Sequence, residues 1–152
     1  MTQVKREKWI LVVAGLMSVG QAGWGGELWL GVSLGGTQLV GVVVEYRLGE
    51  VGLVVNLGSA VPWRLGDLSL AVQARQYLPG GFFLGLGGWW FLVREAGQWG
   101  WLTSWHLAGG WGAGAWEAGL LWHHFLAAHW AGVKKGNLPS LVLPQLTYKW
   151  RS

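Results

Sequence analysis

The chain of 152 residues has only 12% charged and 52% hydrophobic residues, with 27 glycines and 14 tryptophans. An ordinary soluble domain uses about 25% charged residues to cover its surface, so this composition excludes a typical water-coated globule. The absence of cysteine excludes disulfides, thiolate nucleophiles, cysteine-ligated metals and a lipoprotein anchor.

The first segment, residues 1–22, has the pattern of a secretory signal peptide. A basic start at residues 5–8 precedes an uncharged apolar run at residues 9–19. Small residues at Gly20 and Ala22 predict cleavage after Ala22. The alternative is a single N-terminal membrane helix, but the run is short for about 30 Å of hydrocarbon. Cleavage lowers the formal net charge from +4 to about +2, so we expect no nucleic-acid partner.

The chain after residue 22 alternates with a period of two, which is typical of β-strands. Residues 39–48 show this best, because their apolar face holds Val40, Val42, Val44, Tyr46 and Leu48. Their other face is small or polar apart from Val43. A soluble sandwich or lipocalin-like barrel is the alternative, but its outer face would carry Lys, Glu and Thr. The pattern therefore predicts a membrane barrel with apolar side chains outside and sparse charges inside.

The spacing predicts an all-β domain over residues 23–152, an eight-stranded antiparallel transmembrane β-barrel in a bacterial outer membrane. Its strands are expected near residues 27–35, 38–48, 50–58, 66–77, 82–93, 98–108, 113–125 and 140–151. Tight glycine-rich turns on the periplasmic side are expected at residues 48–50, 79–81 and 109–110. Longer external connections are expected at residues 59–64, 94–98 and 127–139.

Many tryptophans are expected near strand ends or on the apolar face, where an indole ring favours the headgroup level of a membrane. They are Trp63, Trp89, Trp90, Trp99, Trp101, Trp111, Trp122, Trp130 and Trp150. The alternative is a tryptophan-rich soluble core or a carbohydrate-stacking face. Residues 115–135 are also compatible with a helix that plugs or crosses the barrel mouth, capped by Lys134-Lys135-Gly136.

The plan of the chain after residue 22 resembles the small outer-membrane barrels of the OmpA and OmpX type, without a specific motif. A second resemblance covers the last quarter, where residues 116–128 and Gly136-Asn137-Leu138-Pro139 are similar to the end of the outer-membrane lipid A deacylases. That family carries His-x-Ser-Asn-Ala at the end of its seventh strand, which implies His124 as the catalytic histidine.

This chain departs from the deacylase motif at two positions, because Leu126 and Ala127 stand where the family has serine and asparagine. Ala128 matches the alanine of the motif. The acidic partner of the family lies downstream, but no Asp or Glu follows Glu117. The resemblance therefore implies an esterase of this type or a degenerate member of the family.

Several inward-facing polar residues are candidates for a network in the lumen: Glu45, Arg47, Gln73, Arg75, Ser104, His106 and Glu117. Charges in a barrel interior are tolerable when they are paired. Ser104 and His106 share a face, so a Ser-His-acid site completed by Glu117 is the alternative. Three histidines at positions 123, 124 and 129 suggest a metal, but adjacent strand residues point to opposite faces. We expect no metal and no cofactor.

Two function classes follow from these patterns. One is a non-enzymatic barrel for envelope integrity or surface interaction, and the alternative is an esterase acting on acyl chains of outer-leaflet lipid. Eight strands leave an interior just filled by side chains, so we expect no wide pore. The expected partners are outer-membrane lipid, lipopolysaccharide and the barrel-assembly machinery. Lys134 and Lys135 are expected to contact lipopolysaccharide phosphates, the alternative being a solvated loop.

Overall fold

The computed structural model describes residues 25–60, 67–95, 97–129 and 140–152. They form a closed antiparallel barrel in which each strand pairs with its neighbour in the sequence and the last pairs with the first. The eight strands are β1 (Glu27–Gly35), β2 (Val40–Leu48), β3 (Val51–Ser59), β4 (Asp67–Tyr77), β5 (Phe82–Glu95), β6 (Gln98–Ala113), β7 (Trp116–His129) and β8 (Leu141–Arg151). The predicted all-β fold of eight antiparallel strands is confirmed.

Several predictions lie outside the described residues. They are the signal peptide at residues 1–22, most of the external connections at residues 59–64 and 127–139, the tryptophans Trp63 and Trp130, and the lysines Lys134 and Lys135. In the part of the chain that the structure describes, no helix has the length and apolar character to cross a bilayer.

The barrel closes through hydrogen bonding between β1 and β8, with a register that runs from Trp29 opposite Arg151 to Gly35 opposite Gln145. Closure pairs the first strand with the last, so the sheet formed by the described residues has no terminal edge strand that could recruit another chain. The predicted side-chain directions in β2 are confirmed: Val42 is 49% exposed on the outside, whereas Val43 and Glu45 are buried inside.

The predicted turn at Gly109-Gly110 is wrong, because both glycines lie within β6. The turn comes instead at Gly114, which has a φ of +60°. Gly110 faces the interior, where a Cβ would lie 2.7 Å from Cε1 of Phe83. This glycine therefore makes room for the Phe83 ring inside the barrel.

Gly110→Ala is expected to destabilise the barrel by roughly 1–3 kcal/mol, because the added methyl group overpacks the interior. Gly109→Ala is the matched control, since a Cβ there faces outward with Cδ2 of Leu84 as its nearest contact at 3.6 Å. Its stability should stay within about 0.5 kcal/mol of the parent chain. Urea unfolding followed by tryptophan fluorescence measures both variants, and equal losses would contradict the inward placement of Gly110.

The helix alternative for residues 115–135 is wrong over the described part, where residues 116–129 form β7. This segment pairs with β6 up to residue 129 and with β8 up to residue 123, and inward Leu121 alternates with outward Leu120. The register shifts beside Thr103 and Ser104, which places Leu126 as an extra residue in a β-bulge.

Two further expectations about the β5 and β6 region are also wrong. The connection at residues 94–98 is short, because β5 continues to residue 95 and β6 begins at Gln98. Gly97 in this turn has a φ of +81°. Trp89 lies neither at a strand end nor on the apolar outer face, because the alternation of β5 turns its side chain into the interior. There it packs with Ala71, Phe91, Val93 and Leu102 in an apolar core.

Candidate functional site

A group of ionised side chains, together with the neutral Tyr77 phenol, lies in the interior near the short turns. We call it the charged cluster, and it consists of Glu45, Arg47, Arg75, Tyr77, Glu117 and Lys149. Its members come from β2, β4, β7 and β8, which lie on opposite walls of the barrel. Closure of the sheet therefore brings together residues that are far apart in the sequence.

Glu45 is the first acceptor in the charged cluster and is fully buried. The Nε and Nη2 atoms of Arg47 both lie 3.1 Å from Oε1 of Glu45. The Tyr77 hydroxyl and the Lys149 ammonium also donate hydrogen bonds to this carboxylate. A buried carboxylate needs such donors to offset its lost hydration, so these contacts make its ionised form tolerable.

Glu117 is the second acceptor, contributed from the start of β7. Arg75 Nη1 donates to Oε2 of Glu117 at 2.6 Å, and Lys149 donates to Oε1. Arg75 also donates through Nε to the Gln73 amide oxygen at 3.0 Å. Lys149 therefore bridges the two carboxylates and joins the separate pairs into one network.

Glycines and aromatic rings shape the space around the charged cluster. A Cβ on Gly52 would lie 2.9 Å from Oε1 of Glu45, so the absence of a side chain leaves room for the carboxylate. The Arg47 guanidinium lies 3.8 Å from the centre of the Tyr77 ring and 5.2 Å from that of Trp29. These cation–π contacts hold Arg47 in place at the edge of the cluster.

A second polar group lies deeper in the barrel and contains Ser104, His106 and His123. Ser104 Oγ is 3.1 Å from Nδ1 of His123, and the two imidazole rings are 5.2 Å apart. The hydroxyl is thus paired with His123 rather than with His106. All three residues are buried.

Within the described part of the chain, no carboxylate completes a catalytic triad with Ser104 and His123. Glu117 is bound by Arg75 and Lys149 in the charged cluster. Nε2 of His123 has no hydrogen-bond partner among the described residues, so no carboxylate there orients the imidazole. Trp89 packs edge-on against His123 with ring centres 4.9 Å apart. The indole therefore covers this group on the side of the loop end, which is the end of the barrel with the β1–β2 and β5–β6 connections.

His124 lies on the outer surface, on the opposite side of the wall from Ser104. Its ring contacts Trp105 and Trp122, with centres 5.5 Å and 6.4 Å away. Leu126, in the position of the family serine, is also exposed on the outside at 47%. The structure therefore places no hydroxyl beside His124 within this motif.

The histidines at the end of β7 are also separated by the alternation of the strand. His123 points inward, whereas His129 stacks on the outward-facing Trp101 ring at 6.3 Å. Among the residues described, no group of three His, Asp or Glu side chains could hold a metal ion.

The connection between β1 and β2 folds into the interior at the loop end of the barrel. Thr37 and Gln38 are both buried there. Gln38 donates to the Ser33 hydroxyl at 2.8 Å, and the Ser69 hydroxyl donates to the Thr37 carbonyl at 2.6 Å. Trp89 in turn donates to Ser69 at 2.8 Å. These contacts hold the connection inside the barrel at this end.

Sequence reasoning did not identify Lys149, Tyr77 or His123 as members of these groups. The sequence does indicate an inward position for Lys149, because polar and apolar residues alternate in this strand: Gln145, Thr147 and Lys149 against Leu146, Tyr148 and Trp150. That alternation assigns Lys149 to the inner face of β8. His123 and Tyr77 had the same kind of signal in their own strands, since inward and outward residues also alternate there.

Comparison with known proteins adds no relative for this chain. No protein-family model matches it, and neither curated proteins nor solved structures show significant similarity to it. What can be inferred about its function therefore depends on the distribution of its side chains across the barrel wall.

Proposed function

We propose that this chain spans a bacterial outer membrane as a non-enzymatic barrel that serves envelope integrity or surface interaction. The observation that carries this proposal is the reversed distribution of side chains: ionised groups inside and large apolar groups outside. Exposed apolar residues occur on seven of the eight strands, for example Val32, Val42, Leu53, Leu86, Leu107, Leu120 and Val142. β4 adds Leu68 and Leu70, which are partly exposed.

This apolar belt favours a lipid environment over water. The largest exposed apolar patch on a typical soluble monomer covers about 300–600 Å². Here Leu84, Leu86 and Leu120 each expose more than half of their surface, and similar residues continue around the barrel. A continuous outward apolar band with a polar interior is the pattern of membrane barrels.

Aromatic residues border the apolar belt at both ends. At the turn end the exposed rings are Phe82, Trp111, Trp116, Tyr148 and Trp150. Toward the loop end they are Trp90, Trp99 and Trp101. Trp122 is also exposed, in the middle of β7, so the rings are concentrated toward the two ends but not confined to them. Such a concentration is typical of proteins whose apolar belt meets the headgroup region on both sides.

The side chains that project into the interior favour integrity or interaction over transport. The charged cluster lies at the turn end beside a small cavity, and the inward-folded connection contacts Trp89 through Ser69 at the loop end. The proposed partners are outer-membrane lipid, lipopolysaccharide and the barrel-assembly machinery. Lys134 and Lys135 remain candidates for contact with lipopolysaccharide phosphates.

The proposal is tested by refolding residues 23–152 from urea into lipid vesicles and into detergent-free buffer. We expect a folded barrel only with lipid or detergent, and a change of gel mobility on heating that reports melting of a stable barrel. A monodisperse folded protein in buffer without detergent would contradict the membrane location.

No release of fatty acid from lipid A is expected from the refolded barrel. The hydrolysis needs a hydroxyl beside an oriented imidazole. Leu126 has no hydroxyl, and Ser104 is buried in the barrel interior, on the opposite side of the wall from His124. Mass spectrometry of lipid A after incubation measures this. Acyl release that His124→Ala abolishes would establish the deacylase alternative. Release abolished by Ser104→Ala, with His124→Ala active, would instead assign activity to the interior pair.

A further inference from the structure

The charged cluster contains more cations than anions. Three cations, Arg47, Arg75 and Lys149, share the carboxylates of Glu45 and Glu117, and Tyr77 is a neutral donor to Glu45. The cluster therefore has an excess of one positive charge in a largely buried position. Such a charge is costly without a counterion, so the site favours an additional anion.

Other charges at the turn end have their own partners and lie on the rim. Glu27 lies opposite Arg47 in the register of β1 and β2, but its Oε1 is 3.0 Å from Arg151 Nη1, so this pair adds no net charge. The two side chains are 38% and 64% exposed. Glu50 lies in the exposed turn after β2, where it accepts a hydrogen bond from Gln76 at 3.4 Å. Water screens these outer groups, so they compensate the buried excess only weakly.

A cavity of about 100 Å³ adjoins the charged cluster at the turn end. Its walls include Trp29 and Tyr77, its charged lining is Arg47, Lys149 and Glu117, and three glycines complete it. The side chain of Arg47 is 24% exposed, unlike those of Arg75 and Lys149. It directs Nε and Nη2 at Glu45, and because a guanidinium has five N–H donors, others remain for a ligand.

We propose that this turn-end cavity binds a small oxyanion, a carboxylate or a phosphate, against Arg47 and Lys149. A guanidinium held between two aromatic rings is pre-organised for such a ligand and needs little further ordering. The phosphate can belong to a free ion or to a lipid headgroup, since both present the same oxygens. This inference goes beyond the proposed function and does not depend on it.

The test is calorimetric titration of inorganic phosphate into the barrel in a non-ionic sugar detergent at low salt. We expect saturable binding that Arg47→Gln weakens by about 10-fold or more, because a charge-assisted contact is lost. Arg94→Gln is the matched control. Arg94 also lies over an aromatic ring, 5.9 Å from the centre of Trp99, but near the opposite end of the barrel. The Arg94→Gln variant should bind phosphate with the same affinity as the parent chain.

A second pair of variants leaves the charged cluster intact. Gly114 lies at the rim of the cavity in a left-handed conformation that Asn and Asp tolerate, and a Cβ there meets nothing within 4 Å. Gly114→Asp adds a carboxylate to the rim and should weaken phosphate binding several-fold, whereas the near-isosteric Gly114→Asn should not. Absence of saturable binding in the parent chain, or equal effects of Asp and Asn, would overturn the proposal.

The source of the oxyanion is distinguished by adding phosphatidylglycerol to the micelles before the titration. If a headgroup phosphate is the natural ligand, the lipid abolishes the heat of inorganic phosphate binding. If the ligand is a free ion, the titration is unchanged by the lipid. Both results support the cavity as an oxyanion site and differ only in where the phosphate comes from.

Discussion

Leu86→Arg is expected to lower the free energy of unfolding from lipid vesicles by roughly 2–4 kcal/mol. Leu86 is 58% exposed and lies on the outer face of β5, midway between Phe82 and Trp90. In the proposed membrane location, a guanidinium at this depth loses its hydration to hydrocarbon, whereas the leucine loses nothing there. Urea unfolding of the vesicle-bound barrel, followed by tryptophan fluorescence, measures the difference.

Leu48→Arg is the matched control for this prediction. Leu48 is 56% exposed, almost the same as Leu86, but it is the last residue of β2 beside the Gly49 turn. An arginine at the membrane interface costs only about 0–1 kcal/mol, so this variant should unfold much like the parent chain. Equal losses for the two variants, or a soluble and fully stable Leu86→Arg barrel, would show that hydrocarbon does not surround the belt.

Glu45→Gln is expected to destabilise the barrel by roughly 3–5 kcal/mol, the effect of breaking a buried ion pair from one side. Glutamine preserves the volume of the side chain but removes the charge that Arg47 and Lys149 share. Both cations then remain in the interior with Glu117 as their main counterion. The measurement is again urea unfolding from vesicles, at neutral pH and constant salt.

Glu50→Gln serves as the control because it makes the same chemical change at an exposed turn. It should alter stability by less than about 0.5 kcal/mol, since exposed pairs contribute little. Adding Lys149→Met to Glu45→Gln should recover part of the loss, because the lysine no longer leaves an unpaired ammonium. A strictly additive double variant would contradict direct coupling between the two residues.

Strand positions and the two faces of the wall could be read from the sequence because side chains alternate along any strand. The clearest case is β2, where Val42 and Val44 face outward and Val43 and Glu45 face inward. The same rule placed Ser104 inside and His124 outside. In each case the direction of one side chain relative to the next, which is a local property, was sufficient to assign the residue to the inner or outer face.

Strand ends were harder to read from the sequence, because they depend on the partner strand. Gly109 and Gly110 have the composition of a turn, but their pairing with Leu120 and Gly119 continues the sheet past them. The shape of the Phe83 ring explains why Gly110 is a glycine, and that ring belongs to another strand. Residues 115–135 were ambiguous for the same reason, since only pairing with neighbouring strands makes residues 116–129 a strand.

The number of strands, their antiparallel order and the apolar outer face follow from period-two alternation and chain spacing, which are properties of the sequence. Which inward residues meet depends on how the strands are arranged around the barrel. Lys149 bonds to Glu45, 104 positions away, and to Glu117, 32 positions away, because closure of β1 on β8 brings these strands around one lumen. Alternation along a strand specifies whether a side chain points into or out of the barrel. Strand register and barrel closure specify its height along the barrel axis and its neighbours, and register and closure depend on the whole sheet.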